Sequence, residues 1–186
     1  IKPSKDFKTT LGFKFDEAFD QIEREVKNVQ QNVGLCEVNG FNRIEITGSD
    51  RHNFLDRIFC GNVKRQTGKV GLGYFLNHHG MLKGEATIAN LPQSDRGPAR
   101  VWYGSAAASE YHDMDWLRQH LNPNDDVQLK SLTNDITILV LAGPNARKVL
   151  SACSRGDWSK DAFPWLSLRE CFIGIAPATV MGVSFS

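Results

Sequence analysis

Apolar residues at Phe15, Ala18, Phe19, Ile22, Val26, Val29 and Val33 recur at spacings of three and four. That period marks one face of a helix over 15–33. Asn32 and Gly34 suit its end. The charged run Glu23-Arg-Glu-Val-Lys27 suits its solvated side, with i,i+4 pairing. The period then shortens. Phe41–Thr47 alternates in its second half and predicts a strand, and Gly48-Ser-Asp50 offers caps for a short helix striped by Phe54, Leu55, Ile58 and Phe59 and ended by Gly61. Val70–Leu76 and Met81–Leu91 read as two strands of a hairpin around the turn Asn77-His-His-Gly80. A polar loop (92–98), a strand (101–103) and a helix (105–120) follow, the helix packing through Tyr111, Met114, Leu117 and Leu121 and stopped by Asn122-Pro-Asn124. Strands are expected at 127–132 and 136–142, the second buried on both faces.

The pattern contains an echo. Ile44–Leu55 and Leu139–Leu150 share one layout: strand, glycine, capping residue, amphipathic helix. Their glycines, Gly48 and Gly143, lie 95 residues apart. Strand–helix units used twice, with hairpin strands between them, predict an α+β fold of mixed sheets with two intertwined halves.

Composition narrows the class. The chain has 186 residues, 41% of them hydrophobic and 23% charged, which is a globular balance. A net charge of +1 lacks the basic excess with which proteins grip many phosphates, so nucleic acid is not an expected partner. No apolar run reaches the roughly 18 residues of a membrane span. The cysteines at 36, 60, 153 and 171 form no C-x-x-C pair, and are expected to be free, mostly buried thiols in a reducing compartment; the expected location is cytoplasmic, or the mitochondrial matrix if the organism is eukaryotic. Ile1 is not Met, and the alternating stretch Ala178–Ser186 ends without a polar tail. The chain therefore reads as a piece of a longer polypeptide: a loose basic lead-in (1–14), then the N-terminal part of a domain (15–186).

Few residues suggest chemistry. Gly71-Leu-Gly73 lacks the third glycine of a dinucleotide fingerprint and opens no helix. His78 and His79 are adjacent at a turn, so they do not readily share a metal, and no metal site is expected. His112, Asp115 and Trp116 sit on a helix read as packing through Trp116. Glu85 is distinctive. It lies inside the returning strand, between Gly84 and Ala86, whose small side chains leave room for a ligand near the backbone. If Leu82 and Ile88 face the core, so do Gly84 and Ala86, and Glu85 shares the other face with Lys83 and Thr87.

The order of these segments resembles a known family. Val33-Gly-Leu-Cys-Glu-Val, Phe41-x-Arg-Ile-Glu-Ile-Thr-Gly48 and Phe54-Leu-Asp-Arg-Ile58 are similar to the opening of the aminomethyltransferases, which include the glycine cleavage system T protein. Asn77–Ile88 looks like the family hairpin, Leu141–Leu150 its second strand–helix unit, and Asp161-Ala-Phe-Pro-Trp-Leu166 a further family segment. Tyr111–Trp116, the Gly-Pro-x-x-Arg-Lys run and Val183-Ser-Phe-Ser186 resemble most the C-terminal folate-binding region of dimethylglycine and sarcosine dehydrogenases.

The resemblance implies a three-lobed α+β body around a channel holding tetrahydrofolate. It implies transfer of a one-carbon unit from a methylated or aminomethyl amine, with a lipoyl carrier protein or an upstream FAD domain as partner. The family's catalytic carboxylate, usually Asp, falls at Glu85, which would hydrogen-bond near N5/N10 of the folate. Tyr74, Asn77, Leu82, Tyr103 and Ser105 fall around the ligand. The family sequence continues past Ser186 with a glutamate that helps hold the pterin, so the isolated piece is expected to bind folate weakly or not at all and to be inactive. The alternative is a non-catalytic folate-binding or regulatory module of the same fold.

Overall fold

The computed structural model describes residues 18–61 and 63–184. In chain order its elements are α1 (Phe19–Gln31), β1 (Gly34–Glu37), β2 (Ile44–Thr47), α2 (Arg51–Ile58), β3 (Val70–Leu76), β4 (Leu82–Leu91), β5 (Arg100–Gly104), a 3₁₀ turn at Ala107–Ser109, α3 (Glu110–Gln119), β6 (Gln128–Ser131), β7 (Leu139–Ala142), α4 (Ala146–Cys153), β8 (Leu168–Ile173) and β9 (Ala176–Met181). The fold is α+β. The lead-in, the first three residues of the first predicted helix and the final Phe185-Ser186 lie outside the described residues.

The main sheet is antiparallel, in the order β3-β4-β5-β2-β6. Side chains alternate across it, so each face follows from register. One face carries Phe75, Ala86, Ile88, Val101, Tyr103, Ile44 and Ile46, and packs on Phe54, Leu55 and Ile58 of α2 and on Met114, Trp116 and Leu117 of α3. Aromatic rings close this core: Phe75 stacks on Trp116 at 4.5 Å and meets Phe59 edge-on at 5.7 Å. The opposite face is covered only in part. Val70, Ala89 and Leu91 are buried there with Leu168, under the β8–β9 hairpin.

The duplicated unit is visible in three dimensions. β2 leads through Gly48 into α2, and β7 through Gly143 into α4. Both glycines have positive φ, +103° and +110°. Each unit also uses the amide two residues beyond its glycine in the same way: Asp50 N–H donates to the Asp126 carbonyl at 3.2 Å, and Asn145 N–H to the Asn32 carbonyl at 2.9 Å. In α4, Arg147 donates to the carbonyls of Trp158, Ser159 and Phe163, which ties the Asp161–Leu166 segment to the second unit.

Several expectations are corrected. β1 was not predicted; it pairs with β7, more than 100 residues away. β7 is not buried on both faces: its sheet has two strands, and Leu139 is 59% exposed. The apolar stripe of α1 is present, yet no residue of that helix is buried. The helix expected from Ser105 begins at Glu110, and Tyr111 faces out at 88% exposure, because Asp113, Met114, Trp116 and Leu117 form the buried side. The cysteines are free, but Cys36, Cys60 and Cys153 are exposed and Cys171 is intermediate. They lie on β1, β8 and two helix ends, away from the main core. No helix among the described residues is long and apolar enough to cross a membrane.

Candidate functional site

The uncovered half of the second sheet face carries the candidate site. Tyr74 on β3 is the cross-strand partner of Glu85 on β4, Leu72 the partner of Thr87, and Thr87 in turn the partner of Gly104 on β5. Paired residues share a face, with about 4.5–5.5 Å between their Cβ atoms. A β-bulge between Phe75 and Leu76 brings Leu76 opposite Leu82. The bulge overturns the expectation that Leu82 faces the core: it lies with Leu76 on the Glu85 side and is 63% exposed. Leu72, Tyr74 and Leu76 are 59%, 39% and 37% exposed. Glu85 thus stands as an exposed carboxylate beside Leu72, Tyr74, Leu76 and Leu82, its side chain without a hydrogen bond or ion pair to any other described residue.

The small neighbours of Glu85 serve another purpose than the one expected. Gly84 faces the core, where an added Cβ would lie 2.3 Å from the Phe75 ring. Gly73 likewise lies under Phe59, 2.8 Å from such a Cβ. These glycines admit aromatic rings to the core on the far face. Room beside Glu85 comes instead from the partial cover of its own face.

The predicted site residues separate into two groups. Tyr74, Leu82 and Glu85 come together. Asn77 sits at the hairpin turn, where its side-chain carbonyl accepts from the amides of His79 and Met81, both at 3.0 Å. Tyr103 and Ser105 point the other way. Tyr103 is 1% exposed in the α2/α3 core, and burial, then the charge of Asp113, pushes its phenol far above its ordinary pKa. Its hydroxyl makes no well-formed hydrogen bond. Ser105 belongs to a polar cluster at the end of β5: Asn42 donates to Ser105 Oγ at 2.8 Å and to Asp113 Oδ2 at 3.1 Å, and Ser105 Oγ donates to the same carboxylate. Asn42 and Asp113 are buried, so this cluster satisfies polar groups that are costly to leave unpaired.

Alternation along β5 therefore puts Trp102 and Gly104, which sequence reasoning missed, on the Glu85 side. The strand itself was legible; its register against β4 was the signal needed to see this. Trp102 Nε1–H donates to Glu45 Oε2 at 3.1 Å. The same oxygen forms an ion pair with Arg100 Nε at 3.2 Å, and Arg100 also donates from a terminal nitrogen to Glu170 Oε1 of β8 at 2.7 Å. This network and Arg96, which donates to the carbonyls of Ala178 and Cys171, fasten the β8–β9 hairpin over the covered half of the face.

Two clefts, of about 840 and 430 Å³, flank that hairpin, and neither includes Glu85. Much of their charge is engaged within the protein: Arg169 donates to the carbonyls of Asp157 and Ala162, and Glu170 pairs with Arg100. Among the described residues no three His, Cys, Asp or Glu side chains converge to hold a metal ion.

The chain belongs to the GCVT N-terminal domain family, whose match covers residues 2–186. The family is of the aminomethyltransferase, folate-dependent one-carbon type. The chain is 34% identical over 173 residues to sarcosine oxidase subunit alpha of Rhizobium meliloti (strain 1021), covering 90% of this chain and 17% of that protein. It is 28% identical over all 186 residues to the mitochondrial dimethylglycine dehydrogenase of Homo sapiens, covering 21% of it. The chain thus spans about a fifth of the length of these curated relatives. Its fold is similar to that of the glycine cleavage system aminomethyltransferase T from Bartonella henselae, with a TM-score of 0.64 at 18% identity, over 78% of this chain and 37% of that one.

Proposed function

We propose that this chain is the folate-binding part of an enzyme that passes a one-carbon unit from a methylated or aminomethyl amine to tetrahydrofolate. The observation that carries the reading is an unpartnered carboxylate, Glu85, in the open apolar half of a sheet face. Such a surface suits a ligand that is mostly flat and apolar but presents amine nitrogens at one place. Tetrahydrofolate, when bound, supplies the nucleophilic nitrogens that accept the one-carbon unit.

The protein's own contribution follows from position. Leu72 and Leu82, both exposed, offer a ligand apolar surface on either side of the carboxylate. Glu85 accepts a hydrogen bond from the reacting amine and offsets the positive charge that develops on that nitrogen as its lone pair forms the new C–N bond and the carbon's bond to the donor amine breaks, the donor nitrogen keeping the electron pair. Tyr74, in register with Glu85, lies beside the same ligand atoms. Generation of the one-carbon unit, including any flavin-driven oxidation of the donor, belongs on this reading to other parts of the full-length polypeptide.

A tetrahydrofolate titration followed by tryptophan fluorescence tests the reading. The full-length protein is expected to bind in the micromolar range and the 186-residue chain at least tenfold more weakly. A full-length protein that does not bind would overturn it.

A further inference from the structure

Deepening the folate reading on which it rests, we propose that Trp102 is a specificity-determining residue: a fixed aromatic wall against which the non-reacting end of the ligand's flat ring lies. Trp102 stands where the covered half of the sheet face meets the open half. It packs on the buried cluster of Val70, Ala89, Leu91 and Leu168 while remaining partly exposed. Next to it on the same face, Gly104 contributes no side chain. The space above Gly104 is open, since an added Cβ there would meet only the Asn42 carbonyl, at 3.5 Å. A bare patch of floor over Gly104 and Thr87 thus separates the indole from Glu85.

The dimensions suit a bicyclic heteroaromatic ring. Strand residues advance about 3.4 Å each, so Glu85 lies roughly 7 Å along β4 from Thr87 and roughly 14 Å from Ala89, the cross-strand partner of Trp102. A ring lying over Gly104 and Thr87, with one edge at the indole, brings its other edge and the attached amine to Glu85. The wall is held from behind. Glu45 fixes the indole N–H, and Arg100, 5% exposed, fixes Glu45. Because that N–H is occupied, the indole offers a ligand aromatic carbon alone. It therefore selects a ring by shape and stacking rather than by hydrogen bonding.

The test titrates tetrahydrofolate into the full-length protein and its Trp102→Leu and Trp102→Phe variants, and measures turnover at saturating folate. Leucine is expected to weaken binding at least tenfold, and phenylalanine to stay within threefold of wild type. Turnover at saturation should stay within twofold for both variants, because the chemistry remains at Glu85. Unchanged binding by Trp102→Leu would overturn the proposal. So would equal losses in both variants accompanied by lowered thermal midpoints, which would mark a purely structural role. Absence of binding by the wild-type protein would instead strike the folate reading and the wall with it.

Discussion

On the proposed folate reading, replacing Glu85 by glutamine should lower tetrahydrofolate-dependent turnover of the full-length protein at least tenfold, a barrier increase of more than about 1.4 kcal/mol. Glutamine keeps the size and can still accept a hydrogen bond; it removes the charge. The loss therefore measures how far the carboxylate stabilises positive charge in the transition state, apart from the contact itself. Glu85 is exposed and has no described partner, so the substitution should change stability by no more than about 0.5 kcal/mol. Folding and chemistry are thus separable at this position. Glu85→Asp, which keeps the charge and shortens the reach by one methylene, should retain more activity than Glu85→Gln. Near wild-type turnover in the glutamine variant would remove Glu85 from the mechanism.

The second large effect is on the fold. Gly48→Ala should destabilise the protein by about 3 kcal/mol or more, from two sources that add at one residue. Its φ of +103° is a conformation that side-chain-bearing residues rarely adopt. A Cβ would also stand 1.9 Å from the Asp126 carbonyl oxygen. That carbonyl accepts from Asp50 N–H, the Asp126 amide is bound by the Asp50 carboxylate at 3.0 Å, and Ser49 donates from its backbone N–H and its hydroxyl to the Asp126 carboxylate, holding it below the usual carboxylate range. Relieving the overlap pulls α2 away from this loop and breaks several of these bonds. At the corresponding Gly143, a Cβ would stand 2.5 Å from the Val29 carbonyl and 2.6 Å from that of Asn32. Alanine there should also destabilise, but less, because α1 and α4 bury no residue and less packing depends on the junction. Thermal unfolding of both variants checks the order. Equal stability of Gly48→Ala and wild type would contradict the close approach described.

Local features were the legible ones. The hairpin limits, the capped helix after Gly48 and the repeat at Gly143 could be read because turn glycines and short-range periodicity specify them within a few residues. What could not be read depended on partners far along the chain. β1 exists because Leu139–Ala142 lies beside it. Leu82 changes face because of a bulge opposite Leu76, which no alternation in β4 alone reveals. Tyr103 and Ser105 were expected near the ligand as members of the right strand. Their true side is set by the pairing of Thr87 with Gly104 and by a buried cluster assembled from Asn42 and Asp113. Glu85 was legible as a carboxylate on the outward face. The apolar setting that makes it a candidate comes from Leu72 and Tyr74 on the neighbouring strand and from the incomplete cover of the β8–β9 hairpin.

On the proposed function the ligand lies on the open half of the sheet face, with its reacting nitrogen at Glu85. A crystal structure of the full-length protein with tetrahydrofolate bound tests it most directly. Density is expected above Thr87 and Gly104, with an amine nitrogen within hydrogen-bond distance of the Glu85 carboxylate. Density seated in a cleft beside the β8–β9 hairpin, with Glu85 left in solvent, would contradict it.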